Sequence, residues 1–217
     1  ISDLVPLLQR LKRRGVPARL NVVGKVDTDL RNRIAGAGCE DMVVWHGFVS
    51  RTRCFEIAAA CDVFLMLSRK EPFGMVVIEA MSMGCIPMAY DVPSGPREII
   101  VDRVSGFLVP FASIKSLVNE LALLQADTGR REKLSKAAVA RANEAFGADR
   151  MGREFADFIG RALARAHEAG VVRLDGEPPL TNLTLSAPPS GYRRVPLHWR
   201  LALRRWIGAQ PRLCHWL

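Results

Sequence analysis

The run Asp62-Val-Phe-Leu-Met-Leu67 constrains the fold more than any other part of the chain. A strand with one wet face alternates apolar and polar residues, whereas this one is apolar from Val63 onward. It must be covered on both faces, the condition met in a parallel sheet with helices above and below. Arg19-Leu-Asn-Val-Val23, Met42-Val-Val-Trp45, Cys85-Ile-Pro-Met-Ala-Tyr90 and Gly106-Phe-Leu-Val109 are further short β-rich runs. Stretches with helical spacing stand around them: residues 3–14, ended by Gly15, then Asp27 to Ala37, Arg51 to Ala60, Met75 to Met83, and a short turn from Arg97 to Val101. Helices over residues 113–126, 129–145 and 148–168 follow. Strict β–α alternation with short loops predicts an α/β domain built on a doubly wound parallel sheet. Ligands of such sheets collect outside the carboxyl ends of the strands. The loops after Val23, Trp45, Leu67, Tyr90 and Val109 are therefore where function is expected. The chain opens on a helix, although a domain of this type opens on a strand, so a fragment lacking its first strand is expected.

Charge and cysteine usage narrow the partners. The 217 residues carry a formal charge of +9. Residues 171–217 hold seven Arg against Asp175 and Glu177, while the first 170 residues hold 24 Lys and Arg against 20 acids. The main domain is only mildly basic, as suits a protein that binds a phosphorylated small molecule. It has no concentrated basic stripe with aromatic platforms, which argues against nucleic acid. No apolar run approaches the roughly 18 residues of a membrane-spanning helix. The start, Ile1-Ser-Asp-Leu-Val-Pro6, has neither an initiator Met nor a signal pattern. Five cysteines (Cys39, Cys54, Cys61, Cys85, Cys214) without a CxxC pair fit buried thiols in a reducing cytoplasm. A dinucleotide-binding oxidoreductase would need G-x-G-x-x-G after the first strand. Gly24-Lys-Val-Asp-Thr-Asp29 supplies one glycine only.

The informative loop is Ser68-Arg-Lys-Glu-Pro-Phe-Gly-Met-Val-Val-Ile-Glu-Ala-Met-Ser-Met-Gly84. Pro72 keeps Glu71 outside the helix, and Gly74 allows a tight turn before Met75. The amides of Gly74, Met75 and Val76 then point out of a helix N-terminus, where unpaired N–H groups and the helix dipole favour phosphate. Glu79 lies about one turn further in, within reach of a hydroxylated group beside the phosphates. Glu71 approaches from the loop. The arrangement suits a nucleoside diphosphate sugar, with ribose at Glu79, phosphates on the amides and sugar near Glu71.

Glu71-Pro-Phe-Gly-Met-Val-Val-Ile-Glu79-Ala-Met-Ser-Met-Gly84 resembles the E-x7-E signature of glycosyltransferase family four. Trp45-His-Gly-Phe-Val49 resembles that family's base-contacting loop. Ala60-Cys-Asp-Val-Phe-Leu65, Val92-Pro-Ser-Gly-Pro-Arg-Glu98 and Asp102-Arg-Val-Ser-Gly-Phe-Leu-Val-Pro110 resemble its flanking stretches, so the likeness runs in order over residues 1–168. It implies the C-terminal, donor-binding half of a retaining transferase with two Rossmann-like domains. By that resemblance Glu79 holds the donor ribose and Glu71, the catalytic candidate, contacts the transferred sugar. Phe73, Gly74, Met75 and Val76 offer backbone to sugar and diphosphate, and the backbone around Val49 touches the base. The family's diphosphate-neutralising Arg and Lys fall before residue 1, and so does the acceptor-binding N-terminal domain. Lys25 is the nearest cation after a retained strand end and joins the donor-binding set. The implied partners are a UDP- or GDP-sugar and a glycan or lipid-linked acceptor, with no cofactor and no metal. A non-catalytic module that binds nucleotide-sugar is the alternative.

Other features have blander explanations. Asp27-Thr-Asp29 spells a metal-holding D-x-D, but Asp27 stands where a helix N-cap belongs. Two carboxylates around one short helix are an unusual layout for a glycosidase. His46 ends a strand in a structural role, and Glu98 braces its turn. Residues 169–217 read as a linker and basic tail. Within them, Leu197 to Ile207 can form a helix with Trp199, Ala202, Leu203, Trp206 and Ile207 on one arc and Arg200, Arg204 and Arg205 on the other. Such a helix suits an anionic membrane surface at the cytoplasmic face, or docking onto the missing domain or a partner.

Overall fold

The computed structural model describes residues 2–25, 27–169 and 212–216. These divide into two units, residues 1–143 with the last strand, and a second from Glu144 onward. The first unit runs α1 (Leu4–Arg13), β1 (Arg19–Val23), α2 (Thr28–Gly36), β2 (Val43–Gly47), α3 (Arg51–Ala59), β3 (Val63–Met66), α4 (Met75–Ser82), β4 (Ile86–Tyr90), α5 (Pro96–Ile99), β5 (Phe107–Val109) and α6 (Ile114–Ala126). α7 (Thr128–Phe146) leaves this unit, α8 (Ala148–Glu168) belongs to the second, and β6 (Arg212–Trp216) returns to the first.

Sequence dictates these elements plainly. In α1 the leucines at 4, 7, 8 and 11 follow the i, i+3, i+4, i+7 stripe, and all four are fully buried. Burying them contributes roughly 6–12 kcal/mol before chain entropy is subtracted. Arg10, Lys12 and Arg13 then complement the negative end of the helix. β3 is buried at every residue, as its unbroken apolar run requires. Asp27 caps α2, its side chain accepting from Leu30 N at 3.1 Å. That is the structural role expected of the D-x-D stretch.

The sheet is parallel throughout, in the order β2-β1-β6-β3-β4-β5. Here one expectation is corrected. Residues 212–216 belong to the tail expected beyond a domain without its first strand, yet they form β6 in the middle of the sheet. β6 pairs with β1 from Arg19↔Arg212 to Val23↔Trp216, and with β3 at Val63↔Leu213 and Phe64↔Cys214. Backbone accounting explains it. Without a strand in that slot, β1 and β3 would each leave a row of N–H and C=O groups unpaired at the sheet's centre. The helix expected over residues 197–207 and the linker before it lie outside the described residues.

In the second unit α8 is one helix of 21 residues, with Arg150 Nε donating to Glu154 Oε1 at 2.6 Å one turn on. No helix among the described residues is long and apolar enough to cross a membrane.

Candidate functional site

All strands being parallel, the loops after β1, β2, β3 and β4 leave the same edge of the sheet. The loop after β3 is the most shaped. It passes through Glu71 and Pro72 to Gly74, whose φ of 94° lies in the left-handed region where a side chain would be strained. α4 starts at Met75, and its first inward bond runs from Val77 N to Gly74 O at 2.9 Å. The amides of Gly74, Met75 and Val76 have no partner among the described residues and face outward from the helix start. Glu71 folds back towards them: a methyl group on Gly74 would lie 3.5 Å from Glu71 Cγ. Phe73 and Met75 are exposed, at 38% and 57%, beside this free helix end.

Glu79, one turn into α4, has a side chain only 23% exposed, and Arg51 Nη2 donates to its Oε1 at 2.7 Å. Arg51 opens α3, the helix that follows β2, so this bond ties the start of α3 to α4. Val49 lies just before it, half-buried, and Phe48 is 84% exposed. Gly24 N donates to Gly47 O at 2.9 Å, fastening the end of β1 to the end of β2. Lys25 follows, exposed on the same edge. Among the described residues no hydrogen bond or ion pair connects it to Glu71 or Glu79.

The loop after β4 supports the Glu71 loop from beneath, which sequence reasoning missed. Ser94 Oγ donates to Glu71 O at 2.9 Å. Gly95, with φ 66°, lies so close that a Cβ there would sit 2.7 Å from Phe73 O and 2.9 Å from Glu71 O. Asp91 braces this support by a two-pronged bond from Arg97, at 2.5 and 3.1 Å. The Arg97 hydrogen bond holds the Asp91 carboxyl below the usual range. On the other side Tyr90 Oη donates to Asp3 at 2.8 Å, and burial, then that contact, pushes the phenol's pKa up. Arg69 pairs with the same Asp3 at 3.9 Å and lies 5.8 Å over the Phe111 ring.

His46 serves the framework. Its Nε2 lies 2.9 Å from Asn21 Oδ1, and burial, followed by Arg53 and Arg19, lowers its pKa. The backbone carbonyl of Glu98 accepts from Arg141 at 2.9 Å, which braces the end of α5 without the Glu98 side chain.

The edge thus presents free amides flanked by two carboxylates, a layout able to receive an anion with hydroxylated groups on either side. Residues 1–141 match the family described as glycosyl transferases group 1. The chain belongs to that family. D-inositol 3-phosphate glycosyltransferase of Xylanimonas cellulosilytica is 33% identical to this group 1 glycosyl transferase over 165 residues, which are 73% of this chain and 39% of that protein. GDP-mannose:cellobiosyl-diphosphopolyprenol alpha-mannosyltransferase of Xanthomonas campestris is 30% identical over 149 residues, 65% of this chain and 39% of that one. Among solved structures, Anabaena HepE in complex with UDP aligns with a TM-score of 0.66 and 25% identity over 74% of this chain and 44% of that chain. Sucrose-phosphate synthase from Thermosynechococcus elongatus shares the fold, with a TM-score of 0.67 at 22% identity, over 75% and 42%. The chain spans about two-fifths of the length of the curated relatives it matches, 39% in both cases. Every residue gathered at the sheet edge falls inside the span that matches the group 1 glycosyl transferases.

Proposed function

We propose that this chain is the donor-binding half of a retaining glycosyltransferase that moves a hexose from a UDP- or GDP-sugar to a glycan or lipid-linked acceptor. The observation that carries this reading is the free start of α4, with Glu71 folded against it and Glu79 one turn behind. The diphosphate lies on the amides of Gly74, Met75 and Val76, whose hydrogen bonds and dipole stabilise its charge. Phe73 offers backbone to the sugar, Val49 offers backbone to the base, and Glu79 accepts from the ribose. Glu71 faces the sugar. Positive charge builds there as the glycosidic bond breaks, so its carboxylate stabilises the transition state more than the ground state. Lys25 adds a cation at the rim. No metal or cofactor enters the scheme.

Relatives support the choice of ligands. HepE was solved with UDP, and the Xanthomonas relative is named for GDP-mannose and a diphosphopolyprenol-linked acceptor. The enzyme works in the cytoplasm, and the basic, Trp-bearing stretch 197–207 brings it to the inner face of the membrane. The acceptor surface comes from an N-terminal domain of the whole protein, so the 217-residue chain alone binds nucleotide weakly and transfers no sugar.

A donor screen on the full-length protein, with the anomeric configuration of the product determined, tests the proposal. Transfer with retention is expected. Nucleotide-sugar binding without product for any donor would favour the non-catalytic module instead, and robust turnover by this chain alone would defeat the division into halves. Flotation with vesicles tests the membrane element, since equal recovery with and without acidic lipid removes it.

A further inference from the structure

Arg51 is the first residue of α3, and its guanidinium sits between two groups. Nη2 donates to Glu79 Oε1 at 2.7 Å, and the guanidinium carbon lies 5.4 Å from the centre of the Phe55 ring. Its side chain is 72% exposed, while that of Glu79 is 23% exposed. Surface ion pairs are commonly of little consequence. This one differs in what it holds: the acid is the one assigned to ribose, and the base comes from the start of α3. Arg53, two residues on, pairs instead with Glu56 at 2.7 Å, and among the described residues Arg51 is the cation paired with Glu79.

We infer that Arg51 is a positioning residue for the donor ribose, holding Glu79 by Oε1 so that Oε2 is left to accept from a ribose hydroxyl. The inference rests on the reading of Glu79 given above. A carboxylate offers about four lone-pair sites on two oxygens, so one oxygen can be anchored without exhausting its capacity. A glutamate that is free to rotate loses rotamer freedom when a ligand orders it, and a partner that has already ordered it removes that cost. Phe55 limits the guanidinium in turn by stacking beneath it. Arg51 has a second, less specific effect. Its charge offsets that of Glu79 near a diphosphate, which favours every polyanionic ligand alike. The two effects separate if affinity is compared between ligands that differ only in the ribose hydroxyls.

The experiment is calorimetry on the full-length protein with UDP and 2′,3′-dideoxyuridine diphosphate, or with the guanosine pair where GDP binds. The quantity read is the ratio of the two dissociation constants, from which the general charge effect cancels. Arg51→Ala is expected to lower that ratio by about 1.5- to 5-fold, the range for an exposed ion pair. Glu79→Ala, which removes the acceptor, is expected to bring it close to one, and the double variant to match Glu79→Ala alone. An unchanged or raised ratio in Arg51→Ala overturns the inference. So does a further fall in the double variant, which would mean that Arg51 touches ribose itself. If Glu79→Ala leaves the ratio intact, the ribose reading fails and this inference falls with it. If only Arg51→Ala leaves it intact, the ribose reading survives.

Discussion

At the residue scale, the two glutamates should fail in different ways when altered. If Glu79 accepts from ribose, Glu79→Gln weakens donor and nucleoside diphosphate alike. A hydrogen bond involving a charged group contributes about 1.5–3 kcal/mol, roughly 10- to 150-fold in affinity. Glu71→Gln should lower turnover strongly and leave the affinity for free diphosphate nearly unchanged, because that ligand has no sugar to meet. Calorimetry with the diphosphate beside steady-state rates checks the split. Equal losses of diphosphate affinity in both variants would undo it. These two residues were legible because their signal is local: seven residues separate them, with Pro72 and Gly74 between to shape the backbone. Arg51, Ser94 and Gly95 were not. They arrive from other strand ends, Arg51 after β2 and Ser94 and Gly95 after β4, and Arg51 stands 28 residues from its partner Glu79. No periodicity links residues that meet only after the sheet has formed.

At the scale of elements, the loop after β4 acts as a cradle for the loop after β3. Gly95 is the tightest point of that contact, since its φ of 66° and the carbonyl of Phe73 both exclude a side chain. Gly95→Ala should therefore cost about 1–3 kcal/mol of stability, and it should also displace the Glu71 loop and slow transfer. Thermal melting and turnover measured together check this. An alanine variant with the wild-type melting temperature and rate would show that the loop contact has slack. Helix and strand identities were largely readable, since β3 declared itself by an unbroken apolar run and α1 by its leucine stripe. β6 was hidden. Leu213-Cys-His-Trp216 is too short to stand out, and what makes it a strand is a vacancy between β1 and β3 that exists only in the assembled sheet.

For the whole molecule, the centre of the sheet is closed by β6, a strand that 102 residues separate from β5 in sequence. Cys214 stands opposite Asn21 on one side and Phe64 on the other. Cys214→Pro removes a backbone donor from a strand flanked on both sides, whereas Cys214→Val leaves the backbone intact. The proline variant should lose about 1–3 kcal/mol or more and the valine variant much less, as read by denaturant unfolding. Indistinguishable midpoints would mean that residues 212–216 do not complete the sheet. The position of β6 also sets a timetable. β5 ends at Val109 and β6 begins at Arg212. A ribosome adding ~5–20 residues each second needs roughly 5–20 s to make the stretch between them. Through that wait β2-β1 and β3-β4-β5 are two half-sheets whose inner edges have no partner yet. The nascent chain must reach β6 before either edge finds another polypeptide, and a chaperone at the exit tunnel would lengthen the time it has.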